Sequence, residues 1–204
     1  MSEPSSTPPD WAEALVTLLT PARDRDTIAG DLHEEYADRA AGRGRSSANW
    51  WYARQVLGFV RQAALLPGLA LGLSLCGRML IDVVAPLDDL ASRAATTTYL
   101  GMLIYTLAGF RTSYRTHQTA SAAVVAVAAT AIATIMQLTV TLGAILAVAS
   151  RLPAGSPTLR ALQEGLDIPV IALLVIGGLA ATIGGASGRM FITRAPGSRW
   201  SMRT

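Results

Sequence analysis

The chain of 204 residues contains no lysine; its 17 strongly basic side chains are all arginines. That excludes a Walker-A phosphate loop and Schiff-base chemistry, both of which need a lysine amine. There is one cysteine, Cys76, so no intrachain disulfide can form. It sits in an apolar run, where a thiol reads as a small packing residue. The two histidines, His33 and His117, are distant in sequence, and with one cysteine they assemble no metal-ligand spacing. His33–Glu34–Glu35 lacks the second histidine of a zincin helix and reads as a solvated helix face. None of the apolar spans predicted below contains a histidine to pair with a serine, so an intramembrane serine protease is not indicated. Neither enzyme activity nor a metal or cofactor is expected.

Charge itself is missing over long stretches. Between Arg115 and Arg151 lie 35 residues without Asp, Glu, Lys or Arg, and 62–77, 94–110 and 168–188 are also charge-free. Half of the chain is apolar (51%) and mean hydropathy is positive at +0.38, which is unusual for a soluble domain of this size. These runs predict four membrane spans at about 62–85, 94–112, 119–150 and 168–190. The third would approach ~48 Å as a helix, longer than a ~30 Å hydrocarbon core, so it must tilt, protrude or break.

The charge that is present is divided unevenly. Residues 1–56 hold 6 Arg against 9 acids, and residues 57–204 hold 11 Arg against 5 acids. The basic balance therefore belongs to the apolar half, and the acidic head argues against nucleic acid as a partner. The Ser/Pro-rich residues 1–9 carry no secretory signal pattern and are expected to form a disordered tail.

Residues 10–60 predict three short helices. Asp10 and Glu13 form a capping-box-like start, and Trp11, Leu15, Leu18 and Leu19 make one apolar face. Thr20–Pro21 ends that helix. A second runs from about Arg23 to Ala41, with Ile28, Leu32, Tyr36 and Ala40 as its buried stripe and Glu35–Arg39 as an i,i+4 pair. Gly42 and Gly44 supply its stop. A third contains Trp50, Trp51, Tyr52, Val56 and Leu57. These aromatics, with Arg54 and Arg61, suit either a membrane interface or closure of the small core.

Three blocks in this head keep order and spacing over about 50 residues. They are Trp11–Ala12–Glu13 with Leu15, Leu18 and Leu19; Gly30, Asp31, Leu32, His33, Glu34, Glu35 and Tyr36 with Arg39; and Trp51, Tyr52, Ala53, Arg54, Gln55, Val56 and Leu57. Together they resemble the permease prefix domain of the second type. That domain precedes the membrane part of duplicated orphan ABC-type permeases in bacteria, and occurs in short uncharacterised membrane proteins. Ala53 stands where that family would have an aromatic. The long permeases also carry a large extracytoplasmic domain for which this chain has no room. The resemblance implies a cytosolic helical prefix on a bacterial plasma (inner) membrane protein, and it transfers no catalytic residue.

Loop charge predicts orientation. Residues 86–93 and 151–167 are neutral or slightly acidic, while 111–118 and the tail 191–204 carry arginines without acids. By the positive-inside rule, both termini and the 111–118 loop are cytoplasmic. The expectation is an all-α chain: a small cytosolic three-helix N-terminal region (10–60) followed by a four-helix transmembrane bundle (61–190) and a basic tail.

Candidate sites are few. Arg78 and Asp82, at i,i+4 in the first span, can pair on one face, either as snorkelling structural charges or as part of a polar cavity. Gln137, Thr139 and Thr141 are candidate interhelical hydrogen bonders. Gly68, Gly72 and Cys76, and in the last span Gly177, Ala181, Gly184, Gly185 and Gly188, form small-residue ridges for packing within one bundle or along a homodimer seam. The expected role is interaction or regulation in the bilayer, as an accessory component of a permease system, with another membrane protein or a second copy as partner. The alternative is a small oligomeric transporter or channel.

Overall fold

The computed structural model describes residues 7–84, 90–148 and 170–194. These form six helices and contain no strand: α1 Asp10–Leu19, α2 Arg25–Arg43, α3 Arg45–Val84, α4 Leu90–Thr116, α5 Ala120–Val148 and α6 Val170–Arg194. Of the expected 86–93 loop, 90–93 are the first turn of α4, and the rest lies outside the described residues. The expected 151–167 loop also lies outside them. The expected tail does so apart from 191–194, which extend α6.

α1 does not start as expected. Pro9 occupies the N-cap position, and its carbonyl accepts from the N–H groups of Ala12 (2.9 Å) and Glu13 (3.1 Å). Asp10 lies inside the first turn and forms no side-chain cap, though it and Glu13 still favour the positive end of the helix dipole. The buried face is Ala12, Val16 and Leu19, and Trp11 is 57% exposed, outside the apolar face to which its spacing had assigned it. α2 ends at Gly44, whose φ of +83° suits glycine at that cap; Gly42 is still helical.

The third head helix and the first apolar span are a single helix, α3, of 40 residues. The sequence between Leu57 and Gln62 holds Gly58 but no Ser, Thr, Asn, Asp or Pro, and the helix runs through that glycine. Pro67, inside the helix, removes one backbone donor without ending it. At ~1.5 Å per residue α3 spans about 60 Å, twice a hydrocarbon core. Its first half therefore belongs to the head and its second half to the bundle.

The head core gathers Ala12, Val16, Tyr36, Ala48, Tyr52 and Val56, with Leu15, Ile28, Leu32, Ala40 and Trp51 packed on it. A second core gathers Ala64, Leu71, Tyr105, Ala122, Val125, Ala126, Ala129 and Ala133 with Ala180 and Ala181, and Leu19 of α1 enters it. Phe59 and Val60 touch both cores.

In the bundle α3 lies parallel to α5, and α4 parallel to α6. Gly68 and Gly72 meet Ile132 and Met136, and Met79 meets Thr141. Across the other pair, Ala181 faces Gly109, Gly184 faces Thr106 and Gly188 faces Phe110. α4 and α6 touch through their backbones. A methyl group at Gly109 would strike the Ala181 carbonyl, and one at Gly184 the Thr106 carbonyl. Such approach allows Cα–H···O contacts, each worth ~0.5–1 kcal/mol.

Among the described residues, three helices are long and apolar enough to cross a membrane: α3, α5 and α6. α4 has the length, 27 residues, but Thr96, Thr97, Thr98, Tyr99, Tyr105 and Thr106 dilute its hydropathy. The bundle's outer surface carries Leu65, Leu66, Leu69 and Leu73 of α3, Ile135 and Leu142 of α5, and Leu179 and Ile183 of α6, all exposed. An apolar surface this extensive suits acyl chains rather than water.

Gly184→Ala and Gly109→Ala should each separate α4 from α6 and lower stability by ~1–3 kcal/mol, the usual cost of overpacking. Thermal unfolding in detergent would show a reduced Tm. Gly178→Ala, where an added methyl group meets nothing within 4 Å, should leave Tm unchanged or raised.

Candidate functional site

The head meets the bundle at the α4–α5 turn. α4 ends at Thr116, and His117 turns the chain with a φ of +60°, its N–H donating to the Ser113 carbonyl (2.9 Å). Thr116 and Ser121 lock this turn. Their hydroxyls lie 2.8 Å apart, Thr116 Oγ1 donates to the Thr112 carbonyl (3.0 Å), and Ser121 Oγ donates to the Gln118 carbonyl (2.5 Å). Both residues are buried.

The head reaches the turn with main chain and side chain together. The Ala22 N–H donates to the Arg115 carbonyl (3.1 Å), and Arg25 Nη2 donates to the Thr116 carbonyl at 2.7 Å. With the Gln118 amide turned to expose its oxygen, the Arg25 guanidinium also donates to Gln118 Oε1 at 3.1 and 3.2 Å. The last carbonyls of a helix lack internal partners and carry the negative end of its dipole, so a guanidinium is well placed there. Leu19, 8% exposed, drives into the bundle core beside these bonds, and Thr20 next to it is fully buried. The sequence reading assigned no role to Arg25. Its position after a Thr–Pro stop was visible, but its distant partner was not.

The prefix-like residues divide by burial. Tyr36 and Tyr52 are fully buried, edge to face with ring centroids 5.9 Å apart, and the Tyr36 hydroxyl donates to Asn49 Oδ1 (2.6 Å). Trp51 packs on Tyr52, and Arg39 lies 4.7 Å over its ring while donating to Glu35 (2.6 Å). These residues and Leu32 close the head core. Gly30, Asp31, Glu34, Glu35 and Arg54 are exposed, and Gln55 is half-buried. A methyl group on Gly30 would meet nothing within 4 Å, so packing does not explain that glycine. His33 is half-buried against Glu13 (3.4 Å) rather than on an open face.

Arg78 is half-buried on α3. The side chain of Asp82, its proposed i,i+4 partner, lies outside the described residues. Met79, next to Arg78 on α3, meets a buried polar pair. Gln137 Nε2 donates to Thr141 Oγ1 (3.2 Å), and Thr141 Oγ1 to Met79 Sδ (3.1 Å). Gln137 Oε1 has no partner. Thr139 is exposed and satisfies itself on the Ile135 carbonyl (2.7 Å). Another interhelical bond, Tyr105 to Thr130 (2.5 Å), joins α4 to α5 and had no sequence signal beyond a tyrosine in an apolar run.

The small residues are occupied within the chain. Gly68 and Gly72 seat α5, Gly177 lies against the Tyr105 ring, Ala181 and Gly184 touch α4, Gly185 touches Ser113 and Ala122, and Gly188 meets the Phe110 carbonyl. Among the described residues no three His, Cys, Asp or Glu side chains are grouped to hold a metal. Comparison with protein-family models, with curated proteins and with solved structures finds no match for this chain.

The head–turn junction can be tested directly. Arg25→Ala should weaken docking by ~1.5–3 kcal/mol and Leu19→Ala by ~2–5 kcal/mol. Limited proteolysis should cut the variants faster between Thr20 and Asp24, with Arg54→Ala cut like the parent.

Proposed function

We propose that the chain is a four-span plasma-membrane protein that acts by interaction, its cytosolic head reporting to or regulating a membrane partner such as a permease. The observation that carries this reading is the junction just described. A head held by a shared core, by one continuous helix and by the Arg25 guanidinium on the α4–α5 turn is mechanically coupled to the bundle. Contact made by the head can thereby alter the packing of α4 and α5, and the reverse also holds.

The fourth span in this reading is α4. It packs lengthwise against α6 and runs opposite to α3 and α5, so it crosses the same layer as its neighbours despite its threonines. Tyr105 supports this, since its hydroxyl is satisfied by Thr130 in the core. Four crossings bring both termini to one side. The arginines at 111 and 115, at 189 and 194, and in the tail argue for the cytoplasmic side. The likeness of the head to permease prefix domains supports a partner of the permease type.

The unpartnered Gln137 Oε1, buried beside Thr141, favours a second reading as a small oligomeric transporter.

A reporter fused after Thr204 should behave as cytoplasmic; activity of an exported-type reporter at that site would refute the four-span topology. Copurification from native membranes after crosslinking should retain one membrane partner, and Leu19→Ala should reduce its yield severalfold. A partner-free oligomer that moves ions or solute in liposomes would favour the transporter instead.

A further inference from the structure

The junction also presents side chains that the docking contacts do not use. Pro21, Ala22 and Arg23 of the α1–α2 turn face Tyr114, Arg115 and His117 at the end of α4 across a groove of about 330 Å³. The Ala22–Arg115 backbone bond fixes the two walls. Arg115, His117 and Arg23 are exposed. Arg23 meets only its neighbour Asp24 (3.0 Å), with its side chain 86% exposed, and an ion pair that open is worth little and yields readily to another anion. The negative end of the α4 dipole would oppose an anion here, but Arg25 already covers the Thr116 carbonyl.

One wall continues into an apolar surface. Tyr114 stacks on Phe110 (6.1 Å between centroids), and both lie 6.5 Å from Phe191 of α6. Phe191 is 64% exposed and Tyr114 47%. A cationic groove therefore abuts an exposed aromatic shelf along one edge. An inorganic anion, or an acidic peptide without apolar side chains, would leave that shelf unused.

We infer that this groove binds the phosphate of an anionic phospholipid from the cytoplasmic leaflet, with Arg115, His117 and Arg23 around the headgroup and an acyl chain along Phe110, Tyr114 and Phe191. The inference rests on the membrane orientation proposed above. Such a lipid would bridge head and bundle, so leaflet composition would bear on how firmly the head is docked.

The test uses the full chain in a neutral detergent, titrated with dioleoylphosphatidylglycerol or dioleoylphosphatidylcholine and read by native mass spectrometry. The anionic lipid should bind in preference. A juxtamembrane cation contributes about fivefold in affinity, so Arg115→Gln should lose roughly fivefold and Arg23→Gln/Arg115→Gln roughly thirtyfold. Arg115→Lys should retain most binding, and Arg54→Gln, on the head away from the groove, should retain all of it; both control for folding. Equal binding of the two lipids, or a double variant that binds phosphatidylglycerol like the parent, would overturn the inference. Displacement of the lipid by millimolar inorganic phosphate would reassign the groove to a soluble anion. Flotation with phosphatidylcholine vesicles separates the two claims. A parent protein that fails to insert refutes the membrane reading, whereas one that inserts without lipid preference refutes only this site.

Discussion

Everything else in the molecule depends on α3 being one helix. A head of six fully or nearly fully buried side chains is too small to fold securely alone. Because Tyr52 and Val56 stand on the same helix as Ala64 and Leu71, the head core is continued by the bundle core rather than ended at a surface. Phe59 and Val60 serve both. The cost of ordering α3 is met once and supports two packed regions. Leu19 and Arg25 then close the arrangement from the other side, where the α4–α5 turn would otherwise present bare helix-end carbonyls.

Within the bundle the driving force differs, because lipid competes equally for apolar side chains. What holds α4 to α6 is closeness. Gly109, Gly184 and Gly188 let carbonyls lie where methyl groups would stand, and Tyr105 fills the larger gap at Gly177. Hydroxyl pairs add polar contacts between α4 and α5, as in Tyr105–Thr130 and Thr116–Ser121. The pairing of α3 with α5 uses the same device at Gly68 and Gly72, with alanines of α5 facing them.

Charge-free length and small-residue spacing made the apolar helices legible, since both follow directly from residue type. The stripe Ile28, Leu32, Tyr36 and Ala40 was legible for the same reason. The fate of Trp11 was not. Helical spacing alone could not choose between the Leu15 side and the Ala12–Val16–Leu19 side, and the small residue Ala12 won because α3 comes close there. The fusion of the third head helix with the first apolar run was hidden by a change of composition near residue 60. Composition changes there because the surroundings change, not because the backbone stops. Arg25 was missed because its partners, 91 and 93 residues away, carry no charge. A backbone carbonyl and an amide leave no pattern in sequence.

The junction's location bears on how such a small head could matter. Of its exposed charges on α2, Asp31, Glu34 and Asp38 project away from the Tyr36 stripe and take no part in docking, while Glu35 holds Arg39 over Trp51. The contacts that do dock are apolar, or are hydrogen bonds from Ala22 and Arg25 to uncharged acceptors on the α4–α5 turn. The exposed acids and the docking contacts thus fall on different residues of one 19-residue helix, α2, and its approach turn. A partner can bind the acidic face without competing for Arg25. In the reading proposed above, the strain of such binding would be passed on through Leu19, Arg25, the Ala22–Arg115 bond and the shared length of α3, which is the condition for a head that senses without dissociating.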